Sequence, residues 1–267
     1  MYRFVDWGAD TFVFQNKIYT YITIMKKVLI TGANRSIGYE TARQFATQGY
    51  FVYLGSRNPE NGRQAVDKLE TEGLENIEAI EIDISNLATV EAARKKIDSL
   101  DVLINNAGIN GGFGTSLTPS ATDVDKIRNV FETNFFGTIN VTKAFLDLLK
   151  KSAEPRIVNV TTGLSSLTLQ GDPNWKYYNY RSAAYAPSKT ALNAYTVALA
   201  HELMDSLFKI NAIDPGYTAT DFNNYRGPGS VEAAAAIIVK YATLDADGPT
   251  GKFFSNDIDT EDKQSPW

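Results

Sequence analysis

Cysteine is absent from the 267 residues, and histidine occurs once, at His201. The first absence excludes disulfides, Cys-ligated zinc and a thiol nucleophile. The lone histidine sits in Ala200-His201-Glu202-Leu203 and reads as a helix-surface residue. Ser-His and His-rich metal chemistry are therefore set aside, and no metal site is expected. Acid–base work falls to Tyr, Lys, Asp or Glu. There is no surplus of positive charge: 26 basic residues face 31 acidic ones, a net charge of −5. This argues against a nucleic-acid surface, which needs a basic patch, but a few cations suffice to hold an anionic cofactor. No apolar run approaches the roughly 20 residues of a membrane span. The first 24 residues carry Asp6, Asp10 and Lys17 within their apolar stretches and do not read as a signal peptide. The expectation is a cytoplasmic protein without membrane or nucleic-acid partners.

What the chain does contain is ordinary globular material, 43% hydrophobic and 21% charged. From Lys26 onward, short Val/Ile-rich runs alternate with longer amphipathic segments. The runs are Val28-Leu29-Ile30, Phe51-Val52-Tyr53-Leu54, Ile80-Glu81-Ile82, Val102-Leu103-Ile104, Ile157-Val158-Asn159-Val160 and Ile210-Asn211-Ala212-Ile213. They have the length and composition of strands buried on both faces. Helical patterns fall at 37–48, 59–71, 87–98, 122–150 and 186–206. This alternation predicts an α/β fold, one parallel sheet with helices on both faces. No repeat or Pro-rich linker divides it, so residues 25–267 are expected to form a single domain. Residues 1–24 stand outside the rhythm. They read as an N-terminal extension, either a hairpin around Gln15-Asn16-Lys17 or disordered, with Met25 as the alternative natural start.

The first of these strands runs into Thr31-Gly32-Ala33-Asn34-Arg35-Ser36-Ile37-Gly38, and a helical pattern follows at once. A glycine turns the chain sharply out of the strand, small residues let the backbone approach a pyrophosphate, and the helix N-terminus offers it free N–H groups. Gly38 permits close packing of helix on strand. An acidic residue at the end of the next strand would favour NAD by binding its ribose hydroxyls. Here Gly55-Ser56-Arg57 stands instead, and Arg57 suits the 2′-phosphate of NADP. Further on, Tyr185 and Lys189 lie four apart at the start of a helical pattern, on one helix face. A neighbouring ammonium is expected to lower the phenol pKa towards working pH.

These segments, in this order, resemble the short-chain dehydrogenase/reductase family over about Lys26 to Phe254. The turn is similar to T-G-x-x-x-G-x-G, with Ser36 in place of the middle glycine, and Tyr185-Ala186-Pro187-Ser188-Lys189 is similar to its Y-x-x-x-K. The resemblance implies a Rossmann-type doubly wound sheet and an NADPH/NADP cofactor. The nucleotide would lie against Gly32, Asn34, Arg35, Ser36, Ile37, Gly38 and Arg57, with Arg35 as the basic residue of NADP-preferring members. Asp83 and Ile84 would cap the adenine. Asn106, Ala107 and Gly108 belong to an N-N-A-G signature, in which Asn105 is read as sheet-stabilising. Pro215, Gly216 and Thr218 would bracket the nicotinamide, Thr220 would bond its carboxamide or the diphosphate, and Lys189 would hold the nicotinamide ribose hydroxyls. Tyr185 becomes the proton donor, and Asn134, in N-x-x-G, part of a proton relay. The third catalytic hydroxyl is Thr162, or alternatively Ser165. The tail 247–254 and Thr162-Gly163-Leu164-Ser165 resemble a carbonyl-reductase-like branch.

The implied activity is NADPH-dependent reduction of a small-molecule ketone, aldehyde or quinone. Alternatives are NADP-dependent alcohol oxidation and a non-catalytic NADP sensor; a sugar-nucleotide epimerase is disfavoured by the short C-terminal region. Trp175, Tyr177, Tyr178, Tyr180, Phe222 and Tyr225 either line a substrate pocket or cover the core. Monomer and homodimer, through helices near 122–150 and 186–206, are both open.

Overall fold

The computed structural model describes residues 11–14, 17–20, 25–112 and 118–267. Strands β1 (Thr11–Phe14) and β2 (Lys17–Thr20) pair antiparallel, Thr11 opposite Thr20, as a small sheet of their own. The rest of the 1–24 stretch, including most of the expected turn, lies outside the described residues.

The main sheet is assembled from β3 (Lys27–Ile30), β4 (Phe51–Ser56), β5 (Ile77–Glu81), β6 (Val102–Asn105), β7 (Arg156–Val160), β8 (Lys209–Asp214) and β9 (Phe253–Ser255). Among the described residues its order is β5-β4-β3-β6-β7-β8-β9, every pairing parallel. Burial on both faces explains the unbroken Val/Ile runs: Val28 and Ile30 feed one core, and Leu29 between them feeds the other. The first core is closed by α1 (Ser36–Thr47), α2 (Pro59–Thr71) and α8 (Val231–Ala242), through Phe45, Leu69 and Ile238. The second is closed by α3 (Leu87–Lys96), α5 (Thr138–Leu149) and α7 (Tyr185–Glu202), through Val90, Phe145 and Leu199. Phe45 and Phe145 are fully buried, each stabilising the fold by about 2–3 kcal/mol. The doubly wound sheet expected from the sequence is present, and α8, β9 and the short α6 (Leu167–Gly171) add to it.

Local chemistry sets the helix starts. Asn58 caps α2, accepting the Asn61 N–H at 3.0 Å, and Pro59 has the fixed φ of a first helical residue. The stretch expected as one helix over 122–150 is α4 (Val124–Phe131) and α5 joined without a break through a π-helical segment, Glu132–Gly137. At Gly137 a Cβ would lie 2.8 Å from the Ile84 carbonyl oxygen, so the segment packs backbone to backbone against the loop after β5. His201 lies exposed on the last turn of α7. Among the described residues no helix is long and apolar enough to cross a membrane.

The order of strands positions the site. The chain leaves β3 towards β4 and β5, then crosses back to β6 on the other side of β3. Loops that diverge at such a reversal leave a crevice beyond the carboxyl ends of the strands.

Candidate active site

The turn after β3 forms one end of that crevice. Gly32 adopts φ +66°, and a Cβ there would stand 3.0 Å from Ala107 Cα. A Cβ on Gly38 would stand 2.5 Å from the Gly32 carbonyl oxygen, so α1 meets the turn at a distance only glycine allows. The loop after β6 is lashed to the same turn. Asn106 Nδ2 donates to the carbonyls of Thr31 and Gly32, and the N–H groups of Asn106 and Ala107 both donate to Thr31 Oγ1. Ser36, standing where the motif has glycine, keeps a glycine-like backbone at φ +51°. That conformation costs a residue with a Cβ about 1 kcal/mol.

Between these loops and those after β7 and β8 lies a cleft of about 550 Å³, within the size range of small-molecule and cofactor sites. Every residue assigned to a cofactor from the sequence lines it, as do Thr162, Tyr185 and Lys189. Arg57 stands exposed at the rim. Arg35, by contrast, is engaged: its Nη1 lies 2.7 Å from Asp221 Oδ2. The Asp83 carboxylate accepts from the Ser85 N–H and Oγ, which fixes the loop after β5.

At the other end, Tyr185 opens α7 and faces the cleft with Thr162, its hydrogen-bonding neighbour. Desolvation raises the Tyr185 pKa above its ordinary value, the negative charge of Asp214 adds to this, and the Thr162 hydrogen bond acts the other way. Lys189 is buried on the same face of α7, with Nζ donating to the Val160 carbonyl at 2.8 Å; burial brings its pKa down to about 8. The expectation that the ammonium pulls the phenol downward is therefore not met. Burial raises the phenol pKa and only the Thr162 hydrogen bond lowers it, so Tyr185 holds its proton at neutral pH.

Thr162 and Ser165 are separated by geometry. Thr162 lines the cleft, whereas Ser165 is 1% exposed and fully occupied by Asn193 Nδ2, Thr161 Oγ1 and the Thr162 carbonyl. Asn134 does not reach the cleft. Its amide exchanges two hydrogen bonds with the Ile109 backbone and donates to Ser188 Oγ, so its side chain fixes the loop after β6 against α7. Asn105 lies deeper, donating to Thr142 Oγ1 and Asn159 Oδ1 beneath the sheet.

The aromatic residues divide. Tyr177, Tyr180 and Phe222 line the cleft, and Tyr217, not singled out in the sequence, joins them. Trp175 packs on Tyr177, Tyr178 lies under the Arg181 guanidinium, and Tyr225 is 74% exposed. Two acids were also missed. Asp214 is buried beside the cleft, accepting from Ser255 Oγ at 2.6 Å and the Gly216 N–H at 3.0 Å, and burial lifts its pKa to about 6. Asp221 reaches Arg35 and Ser36. A carboxylate before a Pro-Gly turn reads in sequence as a loop residue, and no local signal reveals either partner.

The residues present fit a dinucleotide. Gly32 and Gly38 let the turn after β3 pack against Ala107 and the start of α1 more closely than any Cβ would allow, the N-terminus of α1 opens on the cleft, and two arginines stand at that end while a phenol and an ammonium stand at the other.

Comparison with known proteins points the same way. Residues 26–230 match the family model described as short chain dehydrogenase. The chain is 36% identical to the short-chain dehydrogenase anuI of Penicillium roqueforti, over 88% of this chain and 94% of that protein. It is 30% identical to a (+)-neomenthol dehydrogenase of Capsicum annuum, over 87% and 96% respectively. Salutaridine reductase from Papaver somniferum superposes with a TM-score of 0.74 at 27% identity, over 87% of this chain and all of that one. An NADPH-bound carbonyl reductase from chicken fatty liver shares the fold, with a TM-score of 0.77 at 24% identity, over 91% of this chain and 99% of that one.

Proposed function

The chain belongs to the short-chain dehydrogenase family and is an oxidoreductase of the CH–OH/C=O pair; on that premise we propose that it reduces a bulky apolar carbonyl compound to an alcohol, with NADPH as hydride source and Tyr185 as proton donor. The observation that carries this reading is the Tyr185 phenol beside Thr162, with Lys189 one helical turn further along α7, in a cleft continuous with the glycine turn. Reduction needs an acid at the carbonyl oxygen, and a protonated Tyr185 is that form; alcohol oxidation would need its phenolate.

NADPH, when bound, supplies the hydride. The chain supplies orientation and the proton. Gly32, Gly38 and the N-terminus of α1 receive the pyrophosphate, and Arg57, with no carboxylate at the end of β4, receives the 2′-phosphate. Thr162 hydrogen-bonds the substrate oxygen as charge develops on it, and Tyr185 protonates it. Lys189, with a pKa of about 8, holds the ribose end and stands ready to return a proton towards Tyr185. Asn134 keeps the loop carrying Gly108 close to Lys189, since a Cβ on Gly108 would lie 3.5 Å from its Nζ. Tyr177, Tyr180, Tyr217 and Phe222 give the substrate end an aromatic wall suited to a bulky apolar ketone or quinone.

Tyr185→Phe removes the donor and leaves the cleft's shape. Turnover should fall by about a thousandfold, in the range of general-acid contributions, while nucleotide affinity in a fluorescence titration stays within about twofold of wild type. A variant that retains its rate excludes Tyr185 as the acid.

A further inference from the structure

The phosphate turn is not open on the side that faces the loop after β8. Asp221 begins a short 3₁₀ turn, Asp221–Asn223, and crosses the cleft to reach residues 185 positions earlier in the chain. Its Oδ2 pairs with Arg35 Nη1 at 2.7 Å, and its Oδ1 accepts the hydroxyl of Ser36. Arg35 is the N-cap of α1 and Ser36 its first residue. A carboxylate therefore stands at the helix end where N–H groups and a guanidinium favour negative charge. The same turn is tied down twice more. The Phe222 carbonyl accepts from Asn110 Nδ2 at 2.5 Å, and the Phe222 ring packs 5.5 Å from that of Tyr185. One strap thus spans from the phosphate turn to the catalytic tyrosine.

We propose that Asp221 is an affinity- and specificity-determining residue, an internal anion that competes with the phosphate groups of the nucleotide for Arg35 and Ser36. The inference rests on the NADPH reading above and deepens it. Arg35 cannot give its best geometry to a carboxylate and a phosphate dianion at once, and the two anions repel when crowded together. Binding selects molecules in which Asp221 has let go, so the apparent affinity is reduced by the fraction that has done so. The Ser36 contact taxes any pyrophosphate-bearing nucleotide. The Arg35 contact taxes the one with a 2′-phosphate in addition. Asp221 therefore narrows the preference for NADPH over NADH that the arginines create.

The test is an equilibrium titration, by protein fluorescence, of NADPH and NADH binding to wild type, Asp221→Asn, Ser36→Gly and Arg35→Ala, and of the Asp221→Asn/Arg35→Ala pair. Removing an ion pair exposed on its Arg35 side and one charge-assisted hydrogen bond should tighten NADPH binding about tenfold. NADH should gain less. In the Arg35→Ala background the gain from Asp221→Asn should fall to that seen with NADH. Ser36→Gly, which removes the hydroxyl contact and relieves a left-handed serine, should tighten both nucleotides without any change at Asp221. Thermal melts of each variant confirm that it is folded. Unchanged or weaker NADPH binding in folded Asp221→Asn overturns the proposal while leaving the cofactor reading intact. A wild type that prefers NADH overturns the cofactor reading, and the proposal falls with it.

Discussion

Burial leaves Asp214 with a carboxyl pKa of about 6, although Ser255 Oγ and the Gly216 N–H both donate to it. The value lies above the ordinary 3.8, so between about pH 4 and about pH 6 the folded form keeps a proton that the unfolded chain has lost. Stability falls as the pH rises through that window, by up to about 3 kcal/mol at two pH units of displacement. Asp214→Asn removes this dependence. Denaturant unfolding at several pH values should show the wild type losing stability relative to the variant between pH 4 and pH 6.5, roughly the span of the two pKa values; parallel curves contradict the burial argument. The same substitution removes the charge that helps hold Tyr185 protonated. A second comparison concerns the hydroxyls. Thr162→Ala should cost about a hundredfold in kcat, in the range for losing an oxyanion donor. Ser165→Ala should leave kcat nearly intact and lower stability by about 1–3 kcal/mol, because it strips partners from buried Asn193 and Thr161. The opposite pattern of rates would assign the role to Ser165. At this scale the spacing of Tyr185 and Lys189 made their shared helix face legible, and both line the cleft. Asp214 was not legible, because its environment comes from β8, β9 and Gly163 together.

The glycine turn and α1 act as one element. Gly38→Ala would push a methyl group against the Gly32 carbonyl and Asn106, both of which are fixed by further hydrogen bonds. The helix must then move off the strand. Stability should drop by about 1–3 kcal/mol, and nucleotide binding should weaken in the same titration that reports on Tyr185→Phe; an alanine variant with native affinity would mean the cradle tolerates displacement. Helix α2 was readable to the residue because Asn58-Pro59 carries its own start signal. Strand β9 was not: three residues are too few for a pattern, and it is held by pairing to β8 and by Phe254 stacked on Tyr241, 3.8 Å between ring centroids. The π-helical segment at Glu132–Gly137 likewise follows from packing against Ile84 rather than from any local preference.

On the scale of the whole molecule, the reversal of strand order at β3 brings the glycine turn, the loop after β6 and the loops after β7 and β8 to one crevice. That architecture was legible in the alternation of apolar runs with helical patterns. The contact between the turn and Asp221 was not, since nothing in a local window links residues 185 positions apart. A net charge of −5 does not oppose an anionic cofactor, because Arg35 and Arg57 supply cations at the end of the cleft where the proposed function puts the phosphates. Recognition is therefore local: Arg57→Ala should weaken NADPH binding by about tenfold, the loss of one charge-assisted contact, and leave NADH almost unchanged. Equal losses would remove Arg57 from the 2′-phosphate site. The most direct measurement is the oxidation of NADPH by the purified protein with a panel of aromatic ketones and quinones, with NADH run in parallel. Turnover with NADPH, much slower with NADH, is the expected result. Tight NADPH binding with no turnover on any carbonyl would contradict it and leave the protein a nucleotide-binding sensor.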